Sequence, residues 1–154
     1  MVITYTIIFI VTIISDQMTK FWAVSELKGN QAIVLINNFL QLNYVENRGA
    51  AFGMLQNKQT FFIVVTIIII FIIIYVLKKN YNLNNISKFT LVLILGGAVG
   101  NLIDRIRLHY VVDFIDVTFG KLYDFPVFNL ADSFVVIGTF ILIYLIGFDK
   151  FGKS

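Results

Sequence analysis

The chain has 154 residues, of which 58% are hydrophobic and only 14% charged, against about 25% charged in soluble domains. Its mean hydropathy is +0.86, and a soluble domain this small has too much surface to cover with so few charges. That excludes a soluble enzyme, a disordered tail and a nucleic-acid-binding domain. The net charge of +3, from 12 basic and 9 acidic residues, is too small an excess to imply a polyanionic partner, so its meaning depends on position. Cysteine is absent and there is one histidine, which argues against a disulfide framework and against a protein-built zinc site. The class is an integral membrane protein of one compact domain spanning residues 1–154.

The first apolar stretch, Met1 to Ile14, runs into SDQMTKFWAV. It lacks the basic n-region and small-residue cleavage site of a signal peptide, so a helix over about 3–22 is expected. That helix carries Asp16 and Lys20 inside the membrane. Their i,i+4 spacing puts them on one face, acid first, which suits an ion pair. The segment QAIVLI-NN-FLQLNYV follows, two β-prone runs around Asn37 and Asn38, and predicts a hairpin.

Gln59 to Leu77 is 19 residues without a charge. At about 1.5 Å per residue it nearly crosses a hydrocarbon core of roughly 30 Å. Its isoleucine run is β-prone, but a lone strand cannot satisfy its backbone in lipid, so the reading is helix. A third span is expected over 87–104 and a fourth over 130–148, separated by the β-prone run HYVVDFIDVTF at 109–119. Lysines crowd the short segments 78–88 (Lys78, Lys79, Lys88) and 149–154 (Lys150, Lys153). The much longer segments 21–58 and 105–129 hold only Lys28, Arg48, Lys58, Arg105, Arg107 and Lys121. Both termini are therefore expected on the cytoplasmic side.

An acid at membrane depth needs a reason. Asp104, Asp113, Asp116, Asp124 and Asp132 gather, with Asn101, Arg105 and Asn129, around the outer ends of the third and fourth spans. Asp132 follows Asn129 by three residues at a helix start, so it fits a helix cap as well as a functional acid. Asp113 shares strand parity with Val111, Ile115 and Val117, an odd place for a solvated charge. Asp116 and Asp124 read as surface groups. Arg105, beside Asp104, is expected to clamp neighbouring carboxylates. Gly96, Gly97 and Gly100 suit close helix packing. H-E-x-x-H and G-x-S-x-G are both missing, and His109 is the lone histidine. Should the chain cleave a bond, two acids sharing one proton are the remaining device: one takes a proton from water while the other polarises the carbonyl.

At these positions the sequence resembles the lipoprotein signal peptidases (signal peptidase II). The resemblance is carried by D-Q-M-T-K (Asp16 to Lys20), N-R-G-A-A-F (Asn47 to Phe52), G-A-V-G-N-L-I-D-R (Gly97 to Arg105), V-V-D-F (Val111 to Phe114) and F-N-L-A-D (Phe128 to Asp132), in order along nearly the whole chain. It implies an all-α integral membrane fold of four transmembrane helices, with a small extracytoplasmic β-cradle and a short interfacial helix near Arg48–Lys58 or in an adjoining loop. It also implies an aspartic endopeptidase of the bacterial cytoplasmic membrane that removes the signal peptide of prolipoproteins before a diacylglyceryl-bearing cysteine. Asp113 and Asp132 are then the catalytic pair. Asp16, Lys20, Asn47, Asn101, Arg105 and Asn129 shape the site or hold substrate. The resemblance calls for no metal or other cofactor, and for lipid-modified prolipoproteins and membrane lipids as partners of a monomer. Two rival classes remain: a small carrier, which predicts internal repeats not found here, and a membrane scaffold, which leaves the converging acids and asparagines unexplained.

Overall fold

The computed structural model describes residues 2–49, 56, 58–79, 82–120 and 123–152. Among them are helices α1 (Val2–Leu27), α2 (Gln59–Lys79), α3 (Asn85–Leu108) and α4 (Leu130–Gly147), with strands β1 (Ile33–Ile36), β2 (Leu40–Asn47), β3 (Val111–Phe119) and β4 (Tyr123–Asp124). All four helices are long and apolar enough to cross a membrane, with mean hydropathies of 1.6, 3.2, 1.8 and 2.1 over their best windows.

Packing is inverted relative to a soluble bundle. The outward faces carry large apolar side chains, such as Phe71 at 67% and Phe140 at 69% exposed, whereas Thr12, Asp16, Lys20, Thr90, Asn101 and Asp104 are buried. Lipid accepts the first set, and only the bundle interior can satisfy the second. Helix α3 is the centre: it packs on α1, α2 and α4 and is the most buried of the four. Two glycines set how closely its neighbours approach. A Cβ on Gly97 would lie 2.5 Å from the Ala131 carbonyl, and one on Gly100 would lie 2.5 Å from Asp16 Oδ2. The close packing expected of the glycines is thus realised against α4 and α1.

Three helices outrun their expected spans. α1 continues past Trp22 to Leu27, α2 takes in Lys78 and Lys79 at its end, and α3 begins at Asn85 and takes in Arg105 and Arg107 at its other end. Long basic side chains can leave a helix end for the interface, so charge alone marks the membrane boundary and not the helix boundary.

The strands form one antiparallel sheet in the order β1-β2-β3-β4. The hairpin turn lies at Asn37–Asn38 as the sequence predicts, and Asn38 adopts φ 57°, a left-handed conformation that asparagine tolerates. The sheet docks on the end of α1, where Ala23 and Leu27 pack with Val112 and Phe114. His109 caps α3 at φ 63° and turns the chain straight into β3. The surface helix expected near Arg48–Lys58 falls mostly on residues 50–55 and 57, which lie outside the described residues.

Candidate active site

Two short connections bring the site together. β3 leaves α3 through His109, which places Asp113 three residues into the strand. Further on, Phe128 folds back onto β3: its N–H donates to the Ile115 carbonyl at 3.0 Å, and its carbonyl accepts from Phe114 and Ile115 N–H at 3.0 and 2.8 Å. Asn129 and the first turn of α4 are thereby held against Asp113.

Asn129 is the hub. Its Nδ2 donates to Asp113 Oδ1 at 2.6 Å and to Asn101 Oδ1 at 3.1 Å, while its Oδ1 accepts from Asp132 N–H at 2.9 Å. In return Asn129 N–H donates to Asp132 Oδ2 at 3.3 Å, which completes a capping box. The capping reading of Asp132 is therefore correct as far as Oδ2 goes. Oδ1 is engaged elsewhere, accepting from Asn101 Nδ2 at 2.7 Å. Asn47, the last residue of β2, donates to Asp113 Oδ2 at 2.9 Å.

Asp113 is 1% exposed. Burial, with the neighbouring Asp132 charge adding to it, pushes its carboxyl up to about 7, against the lowering effect of the Asn47 and Asn129 hydrogen bonds and of Lys20. A buried acid near a second acid favours holding its proton close to neutral pH.

Behind the pair lies a buried ion cluster. Lys20 Nζ is 3.0 Å from Asp16 Oδ2 and 3.0 Å from Asp104 Oδ2, and it donates to Asn101 Oδ1 at 2.9 Å. All three ammonium donors are used. Because Lys20 claims Asn101 Oδ1, the amide must present Nδ2 to Asp132, so the lysine fixes which way Asn101 points. The Asp16–Lys20 pair expected from spacing is formed, with Asp104 as a third member. Asp16 Oδ1 also accepts from Ala131 N–H at 3.0 Å, and Asp104 Oδ2 accepts from Val112 N–H at 3.1 Å. One carboxylate thus pins the start of α4 and the other the start of β3.

Gln17 was not singled out in the sequence. Its Nε2 donates to Asp104 Oδ1 at 3.0 Å, to the Gly100 carbonyl at 3.2 Å and to Asp16 Oδ2 at 3.2 Å. Its place beside Asp16 in D-Q-M-T-K was the available signal. Arg105 corrects the clamp expectation. Among the described residues it makes no ion pair. Its guanidinium lies 5.2 Å from the Phe62 ring centroid, and its buried Nε has no hydrogen-bond partner. Consecutive helix positions point about 100° apart, so Asp104 turns to Lys20 while Arg105 turns away. Asp116 accepts from Gln41 at 2.7 Å, and Asp124 is exposed; neither joins the cluster.

Asp113 and Asp132 both line a cavity of about 460 Å³, together with Asn47 and Arg105. Its remaining wall is largely apolar, from Phe125, Pro126, Phe128, Val136 and Ile137. Among the described residues no group of three or more His, Cys, Asp or Glu side chains is placed to hold a metal ion.

Four apolar helices, with a carboxylate-bearing cavity where the bundle meets its sheet, define a multi-pass membrane protein. Comparison with known proteins narrows the class. Residues 8–148 match the family model described as signal peptidase (SPase) II. The chain is 54% identical over 134 residues to a lipoprotein signal peptidase of Caldanaerobacter subterraneus subsp. tengcongensis, covering 86% of this chain and 88% of that protein. It is 44% identical over 147 residues to one from Clostridioides difficile, covering 95% and 97%. A bacterial membrane enzyme solved by the in meso method at 2.3 Å resolution superposes with a TM-score of 0.85 at 37% identity, over 96% of this chain and 89% of that one. A second, at 1.9 Å resolution, gives 0.82 at 39% identity over 93% and 92%. The chain belongs to the signal peptidase II family. It is a protease of lipoprotein processing, carried in a bacterial membrane by four apolar helices.

Proposed function

We propose that this peptidase removes the signal peptide from prolipoproteins by cutting before a diacylglyceryl-modified cysteine, and that Asp113 and Asp132 activate the attacking water. The observation that carries this reading is the pair itself: two carboxylates, both hydrogen-bonded to Asn129, facing one largely apolar cavity, with Asp113 raised to about 7. Such a pair holds one proton between its members around neutral pH. The ionised carboxylate accepts a proton from water, the protonated one polarises the scissile carbonyl, and the proton then passes to the leaving amine.

Asn129, Asn101 and Asn47 hold the two carboxyl groups in place by the hydrogen bonds given above. The Arg105 guanidinium makes no ion pair among the described residues and lines the cavity beside Asp113 and Asp132, where it is placed to take substrate carbonyls. The substrate's acyl chains supply binding remote from the cut bond, which positions the carbonyl against the pair. Val136 and Ile137 extend the apolar wall along α4 and give a lipid-anchored substrate a path from the bilayer. The whole chain acts as one monomeric domain without a metal. The lysine-rich ends of α2 and of the C-terminal tail lie in the cytoplasm with both termini, and the site faces outward.

The test is cleavage of a lipidated precursor by purified protein in lipid. Asp113→Asn and Asp132→Asn should each abolish it while the protein still inserts and folds, a precursor without the lipid should be cut poorly, and a chelator should have no effect. Full activity in either variant, or chelator inhibition reversed by added metal, refutes the reading.

A further inference from the structure

At the end of the bundle away from the sheet, α1, α2 and α3 surround a second cavity of about 630 Å³, within the size range of ligand sites. Phe9, Ile74, Leu77 and Leu95 give it an apolar interior, and Lys78 and Lys88 line it as well. The two lysines come from different helices, Lys78 from the last turn of α2 and Lys88 from the first turn of α3. Ile74 lies four residues inward of Lys78, and Leu95 seven inward of Lys88. At 1.5 Å per residue the apolar part therefore begins about 6 Å below one ammonium stem and extends to about 10 Å below the other. The groove is cationic at the membrane boundary and apolar deeper in.

No ion pair among the described residues neutralises this charge. The ion pairs among the described residues involve Asp16, Lys20 and Asp104 in the interior and Lys28, Glu46 and Arg48 at the sheet. Neither the Lys78 nor the Lys88 side chain has a hydrogen-bond, ion-pair or ring partner among the described residues. Lys88 is half-buried and sits at the N-terminal end of α3, whose first turn has no acid. A cation there opposes the helix dipole, and an anion would relieve both.

We propose that this groove is a binding site for one anionic phospholipid, its phosphate between Lys78 and Lys88 and an acyl chain along Phe9, Ile74 and Leu95. A signal peptide is a poor occupant, because its basic n-region would meet two lysines. A zwitterionic lipid leaves the excess charge in place. On the orientation proposed above, the bound lipid belongs to the inner leaflet, although the binding itself does not depend on that orientation or on catalysis.

The experiment is native mass spectrometry of the full chain in detergent, titrated with phosphatidylglycerol or with phosphatidylcholine of the same acyl chains. A basic residue near an anionic lipid favours it by about fivefold, so two give roughly 30-fold preference for one bound phosphatidylglycerol. Lys78→Gln combined with Lys88→Gln should bring that preference down to near unity, and Lys28→Gln, at the sheet, should leave it intact. Three outcomes overturn the proposal: a preference that survives the double change, displacement of the lipid by millimolar inorganic phosphate alone, or a protein dimer that closes the groove with no lipid bound.

Discussion

Replacing Asp113 by asparagine should stabilise the protein at neutral pH while it destroys activity. The folded carboxyl keeps its proton until about pH 7, whereas an unperturbed one releases it near 3.8. Between those values the folded state binds more protons than the unfolded state, so this residue makes stability fall as pH rises. A shift of about 3 pKa units is worth ~4 kcal/mol, nearly all of it already lost at pH 7. Asparagine carries no such loss. It does turn one accepting oxygen into a donor facing Asn47 or Asn129, which costs about 1–3 kcal/mol at every pH. Unfolding of wild type and Asp113→Asn in the same micelles should therefore cross over. The variant should be less stable at pH 4 by about 1–3 kcal/mol and more stable at pH 7.5 by a similar amount. Reading the difference between the two proteins cancels every other titrating group. A variant destabilised equally at both pH values would refute the poised carboxyl.

Three further outcomes follow from the same geometry. Cleavage of a lipidated precursor should fall about tenfold per pH unit above roughly 7, as the pair loses its shared proton; a rate flat to pH 9 would exclude a shared proton. Lys20→Met leaves Asp16 and Asp104 buried without their cation and should cost ~3–5 kcal/mol in an unfolding titration, so a loss under about 1 kcal/mol would mean that the acids are not charged there. Gly100→Ala drives a Cβ to 2.5 Å from Asp16 Oδ2, and Asp16 cannot yield because Lys20, Gln17 and Ala131 hold it. A loss of about 1–3 kcal/mol is expected from that overpacking, against no more than about 0.5 for Gly147→Ala, which meets nothing within 4 Å.

Much of this was legible in the sequence for reasons that can be named. The spans follow from hydropathy, because lipid leaves a backbone few options. The hairpin follows from Asn37–Asn38, because a left-handed residue is needed where two β-prone runs turn. Asp16 and Lys20 follow from helical spacing. What pattern could not supply was partnership across elements. Asp104 and Arg105 are adjacent, and only the rotation of α3 decides that the first meets Lys20 and the second lines the cavity. Gln17 has no periodicity to mark it, since its role exists only once α1 and α3 are packed at the Gly100 contact.

On the catalytic role proposed for it, Asp132 shows why helix capping and catalysis need not compete for one residue. A carboxylate at the start of α4 is favoured by the helix N-terminus, and its capping bond with Asn129 fixes the side-chain rotamer. That bond uses Oδ2 alone. The same Asn129 that donates it also donates from Nδ2 to Asp113, so the cap sets the relative position of the two acids. The geometry of the pair is thereby inherited from an ordinary helix start, and Lys20 extends the constraint by orienting Asn101 onto Oδ1. Within this arrangement a change at Lys20, beyond reach of the cavity, should disturb the acids through Asn101. Loss of activity in Lys20→Met with the cavity side chains intact is therefore what a relay through that amide requires.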